Sequence, residues 1–497
     1  MRDWLAHRVR STPSALAAID GTNGDRWEFD DLDSAVERTT RRLAGLGLTA
    51  GDHCGILMDT RFAFVRLIHA TMRLGVRIVP LNARLTETEL TEQADRVDLD
   101  ALIVGGAFAD TAAAITDADT PIVTVDADAG IGHLEEIEAA DYTPAEWSIE
   151  EPQAMLFTSG TTGEPKAVVL TMGNLLASAG GSAFRLGVHA DDRWLVPLSM
   201  YHMGGLAPVL RSTLYGTTVV FQREFDPAAV VATIEECRIT GMSLVPTMLD
   251  AILDVETDLS DSLRFVLLGG APASTDLIER CARHGIPVYP TWGMTETASQ
   301  IATATPQDAF EYAGTVGTPL MFTDVTVIDE DGTPVETGEI GELVVDGPTV
   351  TPGYYDAPER TAEAFCTYGL RTGDIGYRDQ GGRLWVLNRK DDRIITGGEN
   401  VYPGEVVDVL RDHPAVEDAA VVGLEDPKWG ERVAALIVPA DADEPPDREA
   451  LLAFCRDRLA GYKLPKTLTT AAELPRTASG TVDRSRVRDR LEAVLEE

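Results

Sequence analysis

Residues 156–171 read LFTSGTTGEPKAVVLT, an apolar run that breaks into Thr, Ser and Gly and then meets a lysine. A strand entering such a loop presents backbone N–H groups and hydroxyls in a concave nest, which suits an anion such as phosphate. Lys166 adds a positive charge at the end of the loop. The loop is not a Walker A sequence, because Gly-Lys followed by Ser or Thr is missing. An ordinary polar turn has a similar composition, so the meaning of the stretch depends on its surroundings.

In both directions, helical patterns alternate with short apolar runs. Upstream, DDLDSAVERTTRRLAGLG reads as an amphipathic helix closed by Gly, and HCGILM as a buried strand. FAFVRLIHATMRLG followed by VRIVPL repeats the scheme. Downstream, AAVVATIEECRITG with MSLVPT, and then SLRFVLLGG, do so again. The alternation predicts an α/β architecture with largely parallel sheets. Near Thr323 the period changes to two, and Asp331-Gly332 within TDVTVIDEDGTPVETGEIGELVVDG signals a hairpin in a β-rich subdomain. After LWVLNRKDDRIITGGENVYP a helix is expected from Gly404 to Asp412. The strands AAVVGL and VAALIVPA and the helix REALLAFCRDRLAG follow, a pattern for a small α+β domain. The boundary falls at residues 388–392, where polar residues separate two apolar strands.

A chain of 497 residues exceeds one hydrophobic core, and its 44% hydrophobic content is globular. No apolar run reaches the roughly 18 residues of a membrane span. The opening MRDWLAHRVR lacks the apolar centre of a signal peptide, so a cytoplasmic protein without stable membrane insertion is expected. Five dispersed cysteines with no CxxC pair suit reduced, buried thiols. Asp and Glu number 81 against 42 Lys plus Arg, a net charge of -39 spread along the chain. A dispersed acidic excess suits a solvating surface at high salt and predicts a salt-adapted source. It also argues against nucleic acid as a partner, since phosphate backbones need a basic surface. Lysine is confined to Lys166, Lys390, Lys428, Lys463 and Lys466, which makes each of them informative.

TSGTTGEPK resembles the phosphate loop of the adenylate-forming superfamily of acyl-CoA synthetases, luciferases and peptide-synthetase adenylation domains. YHMGGL, LLGGAP, TWGMTET, RTGDIG, NRKDDRIITGGENVYP and LPRTASG stand in the order of that superfamily. The resemblance runs from Thr158 to Gly480 and so covers essentially the whole chain. It implies an ATP- and acyl-binding domain over residues 1–388, a hinge at 389–391 and a mobile C-terminal domain over 392–497. Asp391 matches the hinge residue. ATP, Mg2+ and coenzyme A are implied as co-substrates and cofactor.

Site residues follow motif by motif. Thr158, Ser159, Gly160, Thr161, Thr162, Gly163 and Lys166 form the loop that holds phosphates. Trp292 offers a flat face to a purine, with Gly293 beside it, and Thr295 can donate to a phosphate oxygen. Glu296 is a hard oxygen ligand suited to Mg2+, with phosphates and water completing the shell. The resemblance assigns these the adenine, α-phosphate and metal roles; a capped helix start at Thr295 is the plainer alternative. Gly269, Gly270, Ala271 and Pro272 follow a buried strand, where glycine lets a ligand ring approach the backbone. In the superfamily this loop borders adenine and the acyl group. One carboxylate at Asp374 can accept from two ribose hydroxyls and Arg389 can donate to the same sugar, although a plain surface pair would read alike. His202 is either a core histidine or, by resemblance, the gate of the acyl pocket that helps place the carboxylate. Gly397, Gly398 and Glu399 are implied to pack against the thiol-bearing arm of CoA.

Residues 473–488, ELPRTASGTVDRSRVR, resemble the superfamily's catalytic tip, whose lysine bridges the carboxylate and the α-phosphate. The matching position here is Thr481, uncharged and shorter. Arg476 and Arg484 flank the tip, but an arginine fork is not a substitute for a point charge. MRDWLAHRV, WLVPLSMYHMGGL, LLGGAPA, GIPVYPTWGMTETASQI and DPKWGERVAA resemble one branch, the 2-succinylbenzoate–CoA ligases of menaquinone biosynthesis. Ser299 and Gln300 could contact a polar, doubly acidic substrate, unless ASQI merely starts a buried helix. The partners implied are a small carboxylic acid, ATP and CoA, with room for a homodimer. The rivals are another aryl- or medium-chain acyl-CoA ligase, and a non-catalytic adenylate-binding protein motivated by Thr481.

Overall fold

The computed structural model describes residues 1–497 except 128, 160–164, 393, 397–398, 442–444, 457, 477–481 and 497. Of residues 159, 391, 399–400 and 495–496 it describes the backbone alone. The chain forms two compact units, Met1–Val325 with Val345–Leu370, and Thr326–Val344 with Arg371–Glu497.

The first unit is built on two sheets. In one, the order is Thr318–Pro319, Ser299–Thr303, Val288–Met294, Phe265–Leu268, Gly241–Leu244, Arg193–Val196, Thr218–Phe221, Leu16–Asp20 and Arg26–Glu28. The six strands from Val288–Met294 to Leu16–Asp20 run parallel, and antiparallel strands close both edges. The other sheet runs Ile122–Thr124, Ala101–Val104, His53–Leu57, Arg77–Pro80, Pro152–Ser159, Pro165–Thr171, parallel except for its last pair. Strands such as Ala101–Val104 and Phe265–Leu268 are buried at every residue, because covered parallel strands meet apolar neighbours on both faces. Helices return the chain between strands. Phe62–Leu74 ends on Gly75 in the left-handed region, and Met172–Leu186 starts from a reciprocal Thr171–Asn174 cap directly after the Lys166 strand.

A β-rich segment follows, with the turn expected at Asp331-Gly332: the Gly332 N–H donates to the Asp329 carbonyl at 3.1 Å. In the second unit, Val416–Asp426 and Gly430–Pro439 form a long antiparallel pair whose residues alternate between two apolar faces. Val421, Val433, Ala435 and Ile437 pack with Val406, Leu410, Leu451 and Cys455 of the helices Pro403–Arg411 and Arg448–Arg456. Val422, Leu424, Ala434 and Leu436 pack with Val487 and Leu491 of Arg484–Glu496.

Two local alternatives are corrected. ASQI does not start a buried helix: Ser299–Thr303 is a strand antiparallel to Val288–Met294. Positive φ angles at Ala298 (51°) and Ser299 (120°) rule out helical continuation there. Thr295 opens a short 3-10 turn, Thr295–Thr297, and no longer helix. Cys54, Cys237, Cys281 and Cys455 are free and buried as expected, while free Cys366 is partly exposed. Among the described residues no helix is long and apolar enough to cross a membrane.

Candidate active site

The strands Pro152–Ser159 and Pro165–Thr171 form an antiparallel hairpin in which Thr158 faces Lys166 across the ladder. The hairpin register therefore sets the first and last residues of the phosphate-loop motif side by side. Ser159 is described by its backbone, and Gly160, Thr161, Thr162 and Gly163 lie outside the described residues. The ammonium of Lys166 sits 5.1 Å from the centre of the Tyr354 ring, within cation–π range.

Three other motifs sit at or beyond the carboxyl ends of parallel strands of the nine-stranded sheet, where open α/β sheets bind ligands. His202 follows Arg193–Val196 and precedes the helix Met203–Tyr215. Gly269 to Pro272 follow Phe265–Leu268, and Gly270 has φ +81°, a conformation that favours glycine. Trp292 and Gly293 lie near the end of Val288–Met294, leading into the turn at Thr295. Gly293 is required by close approach: a Cβ there would lie 1.7 Å from the carbonyl oxygen of Ser299, across a register shift in the ladder. Trp292 and Glu296 are buried and Thr295 half-buried. Glu296 accepts from the Tyr354 hydroxyl at 3.2 Å, and its carbonyl accepts from the Thr351 N–H at 2.7 Å. The donor set fits Mg2+, which takes a carboxylate or two and leaves the remaining positions to phosphates and water. The half-buried His202 ring packs edge-on against Tyr201, centroids 4.8 Å apart. Burial, reinforced by the Arg84 guanidinium, pushes its pKa down to about 4, so the imidazole is neutral at neutral pH.

In the second unit, Asp374 and Arg389 are register partners on Gly369–Arg378 and Leu384–Arg389. The Arg389 Nη1 donates to Asp374 Oδ1 at 2.8 Å and to the Thr372 carbonyl at 3.1 Å. The pair expected to meet a sugar is thus assembled by strand pairing alone.

A family model described as AMP-binding enzyme matches residues 5–355, and one described as AMP-binding enzyme C-terminal domain matches residues 405–481. This chain belongs to the AMP-binding enzyme family. It is 42% identical over 481 residues to the 2-succinylbenzoate–CoA ligase of Geobacillus kaustophilus, covering 96% of each chain. Its fold matches the o-succinylbenzoate CoA synthetase (MenE) of Bacillus subtilis in complex with the acyl-adenylate intermediate OSB-AMP. There the TM-score is 0.91 and the identity 36%, over 98% of each chain. The same Bacillus subtilis enzyme in complex with ATP and magnesium ion gives 0.90, at 36% identity over 99% of each chain.

In this AMP-binding enzyme the stretch expected to be the catalytic tip is bracketed by a β-bridge between Arg476 and Val482, and Thr481 lies outside the described residues. The two arginines flanking the tip are engaged: Arg476 pairs with Asp418 at 2.9 Å, and Arg484 pairs with Asp392. Burial and the neighbouring Arg389 lower the Arg484 pKa. Asp391 and Glu399 are described by backbone alone, with Glu399 opposite Thr396 in a short ladder. Gly397 and Gly398 lie outside the described residues.

Three further groups of side chains are given no role by the motifs. Arg211, on Met203–Tyr215, is 2% exposed; its Nη1 donates to Gln300 Oε1 at 2.9 Å and its Nη2 to Ser178 Oγ at 3.0 Å. Among the described residues no carboxylate pairs with it, and burial lowers its pKa. Gln300 is equally buried and also donates to Thr303 Oγ1 at 2.8 Å, so its amide works through Arg211, while Ser299 is half-buried beside it. Tyr354 joins Lys166 and Glu296. On the second unit, the ammonium groups of Lys428 and Lys466 lie 4.9 and 4.4 Å from the ring of the exposed Trp429. The signals in sequence were an arginine in an apolar helix and two lysines in a lysine-poor chain.

Proposed function

We propose that this protein is an ATP-dependent acid–CoA ligase that converts 2-succinylbenzoate, ATP and CoA into 2-succinylbenzoyl-CoA, AMP and diphosphate, a step of menaquinone biosynthesis. A carboxylate is a poor acyl donor because its leaving group would be oxide. Attack of the carboxylate oxygen on the α-phosphorus forms a mixed anhydride and expels diphosphate. The CoA thiol then attacks the acyl carbon, loses its proton and displaces AMP. The first step asks the protein for alignment and neutralisation of charge. Lys166 and the loop from Thr158 would hold the phosphates, Thr295 would donate to the α-phosphate, and Trp292 with residues 269–272 would border the adenine. Asp374 and Arg389 are proposed for the ribose hydroxyls. The neutral His202 ring can orient the acyl carboxylate without claiming its charge. Mg2+ held by Glu296 would withdraw charge from the phosphate oxygens. Residues 389–391 are the proposed hinge, with Asp391 its pivot, between an N-terminal domain ending at 388 and a C-terminal domain starting at 392. Gly397, Gly398 and Glu399 are proposed for the thiol-bearing arm of CoA. Lys428, Lys466 and Trp429 offer cations and a stacking face to its phosphorylated end. The cytoplasm, which supplies ATP and CoA, is the proposed compartment.

Arg211 is the observation that carries the choice of acid. A buried cation held by neutral partners is costly, and a carboxylate offsets that cost while matching the guanidinium fork. A substrate with two carboxylates can present one for adenylation and leave the other for such a site; a fatty acid cannot. Purified protein with Mg2+, ATP and 2-succinylbenzoate is expected to release diphosphate only when the acid is present. Thioester and AMP should follow only when CoA is added. ATP binding with no acid-dependent diphosphate release would identify an adenylate-binding protein instead.

A further inference from the structure

Residues 349–355, TVTPGYY, lie between the phosphate hairpin and the Glu296 turn and bond to both. Toward the hairpin, Thr351 Oγ1 donates to the Val169 carbonyl at 2.5 Å, and the Val169 N–H donates to the Gly353 carbonyl at 3.1 Å. Tyr354 pairs with Val168 in a β-bridge, and the Tyr355 N–H donates to the Ala167 carbonyl at 2.8 Å. Toward the turn, the Thr351 N–H reaches the Glu296 carbonyl and the Tyr354 hydroxyl reaches Glu296 Oε1. The Tyr354 N–H is itself anchored on Thr361 Oγ1 at 3.0 Å, in the helix Pro358–Ala364.

One side chain therefore touches two charges of opposite sign by two different forces. The electron-rich ring face attracts the Lys166 ammonium, and the hydroxyl donates to the Glu296 carboxylate. We propose that Tyr354 is a positioning residue for Mg2+-bound ATP: its hydroxyl fixes the rotamer of the Glu296 carboxylate, and its ring holds the Lys166 ammonium at a set spacing from it. This rests on the ligase function proposed above. Mg2+ demands near-ideal octahedral geometry, so a carboxylate already oriented surrenders less freedom when the ion arrives. Partners that orient a metal-binding carboxylate typically change metal affinity about 10- to 100-fold when removed. A tyrosine that only packed against the core would show no such selectivity, and phenylalanine would replace it at no cost.

The test compares wild type, Y354F and Y354L by calorimetric ATP binding across an Mg2+ titration, alongside the two half-reactions and thermal unfolding. Y354F keeps the ring and loses the hydroxyl. It is expected to raise the Mg2+ concentration for half-maximal ATP binding about 10- to 100-fold. Its ATP affinity at saturating Mg2+, its Tm and its rate of thioester formation from preformed acyl-adenylate and CoA should stay at wild-type levels. Y354L should in addition weaken ATP binding at saturating Mg2+, through Lys166; should it not fold, the Y354F titration decides alone. A Y354F titration superimposable on wild type overturns the proposal. So does an equal loss in both half-reactions with a lowered Tm, which marks a hydroxyl that supports the fold at large rather than the metal site. A wild-type protein that binds Mg2+ and ATP but forms no adenylate refutes the ligase function, and the Y354F titration still reads out the role of Tyr354.

Discussion

Among single residues, the proposed site depends on charge placed where burial makes it expensive. Arg211 is the sharpest case, and Arg211→Met keeps its length while removing the cation. KM for 2-succinylbenzoate is expected to rise about 10- to 100-fold, the worth of a charge-assisted hydrogen bond or two, with KM for ATP unchanged. An unchanged KM for the acid would assign Arg211 to packing. The second case is Thr481, an uncharged residue at the position proposed to match the superfamily's catalytic lysine. Arg476 and Arg484, the neighbours best placed in sequence to replace it, are paired with Asp418 and Asp392. Thr481→Lys is therefore predicted to raise the adenylation rate about ten-fold, with thioester formation from preformed adenylate unaffected. An unchanged adenylation rate would mean that the contact has been abandoned. Glu296, Lys166 and His202 could be singled out from sequence as candidates because they stand in short motifs. Arg211 and Tyr354 were not, because their partners Gln300 and Glu296 lie 89 and 58 residues away in the chain.

At the scale of elements, helix Phe62–Leu74 shows how packing sets a pH response. His69 on this helix is fully buried against Thr213 of Met203–Tyr215, with Nε2 and Oγ1 3.1 Å apart. Burial pushes its pKa down to about 4, with Asp3 opposing and Arg73 reinforcing the shift. In the unfolded chain the ring titrates near 6.5, so below that pH the unfolded state binds a proton that the folded state refuses. The stabilising contribution is complete above about pH 6.5 and is lost as pH falls toward 4. Unfolding temperatures at pH 7 and pH 5 are expected to differ by less in His69→Gln than in wild type; equal differences would contradict this. The α/β order was legible because long amphipathic helices and buried strands have distinct periods. ASQI was ambiguous because a short apolar run fits either element, and the positive φ angles at Ala298 and Ser299 decide it. Those angles follow from the sharp turn that carries Glu296, which periodicity does not record.

At the scale of the whole molecule, the net charge of -39 opposes compaction at low ionic strength. Many arginines are committed to ion pairs, including Arg73 with Asp3, Asp33 and Glu37, and Arg280 with Asp250 and Asp254. They answer only part of the acidic excess. Screening should therefore stabilise the fold, with Tm rising by roughly 5 °C or more between 0.1 and 2 M KCl. A monotonic fall in Tm over that range would show that attraction within ion pairs outweighs general repulsion. Composition made this global property visible at once, whereas the assignment of Thr326–Val344 to one compact unit and Val345–Leu370 to the other depends on tertiary contacts that no local pattern encodes.

The activity proposed for this AMP-binding enzyme is activation of a doubly acidic aromatic acid and its transfer to CoA. The most direct measurement is a panel of carboxylic acids, 2-succinylbenzoate, benzoate and medium-chain fatty acids among them, supplied with ATP, Mg2+ and CoA in high KCl. Thioester formation is read by mass spectrometry. 2-Succinylbenzoyl-CoA is the expected dominant product, with little thioester from acids lacking the second carboxylate. Preference for a plain fatty acid would contradict it.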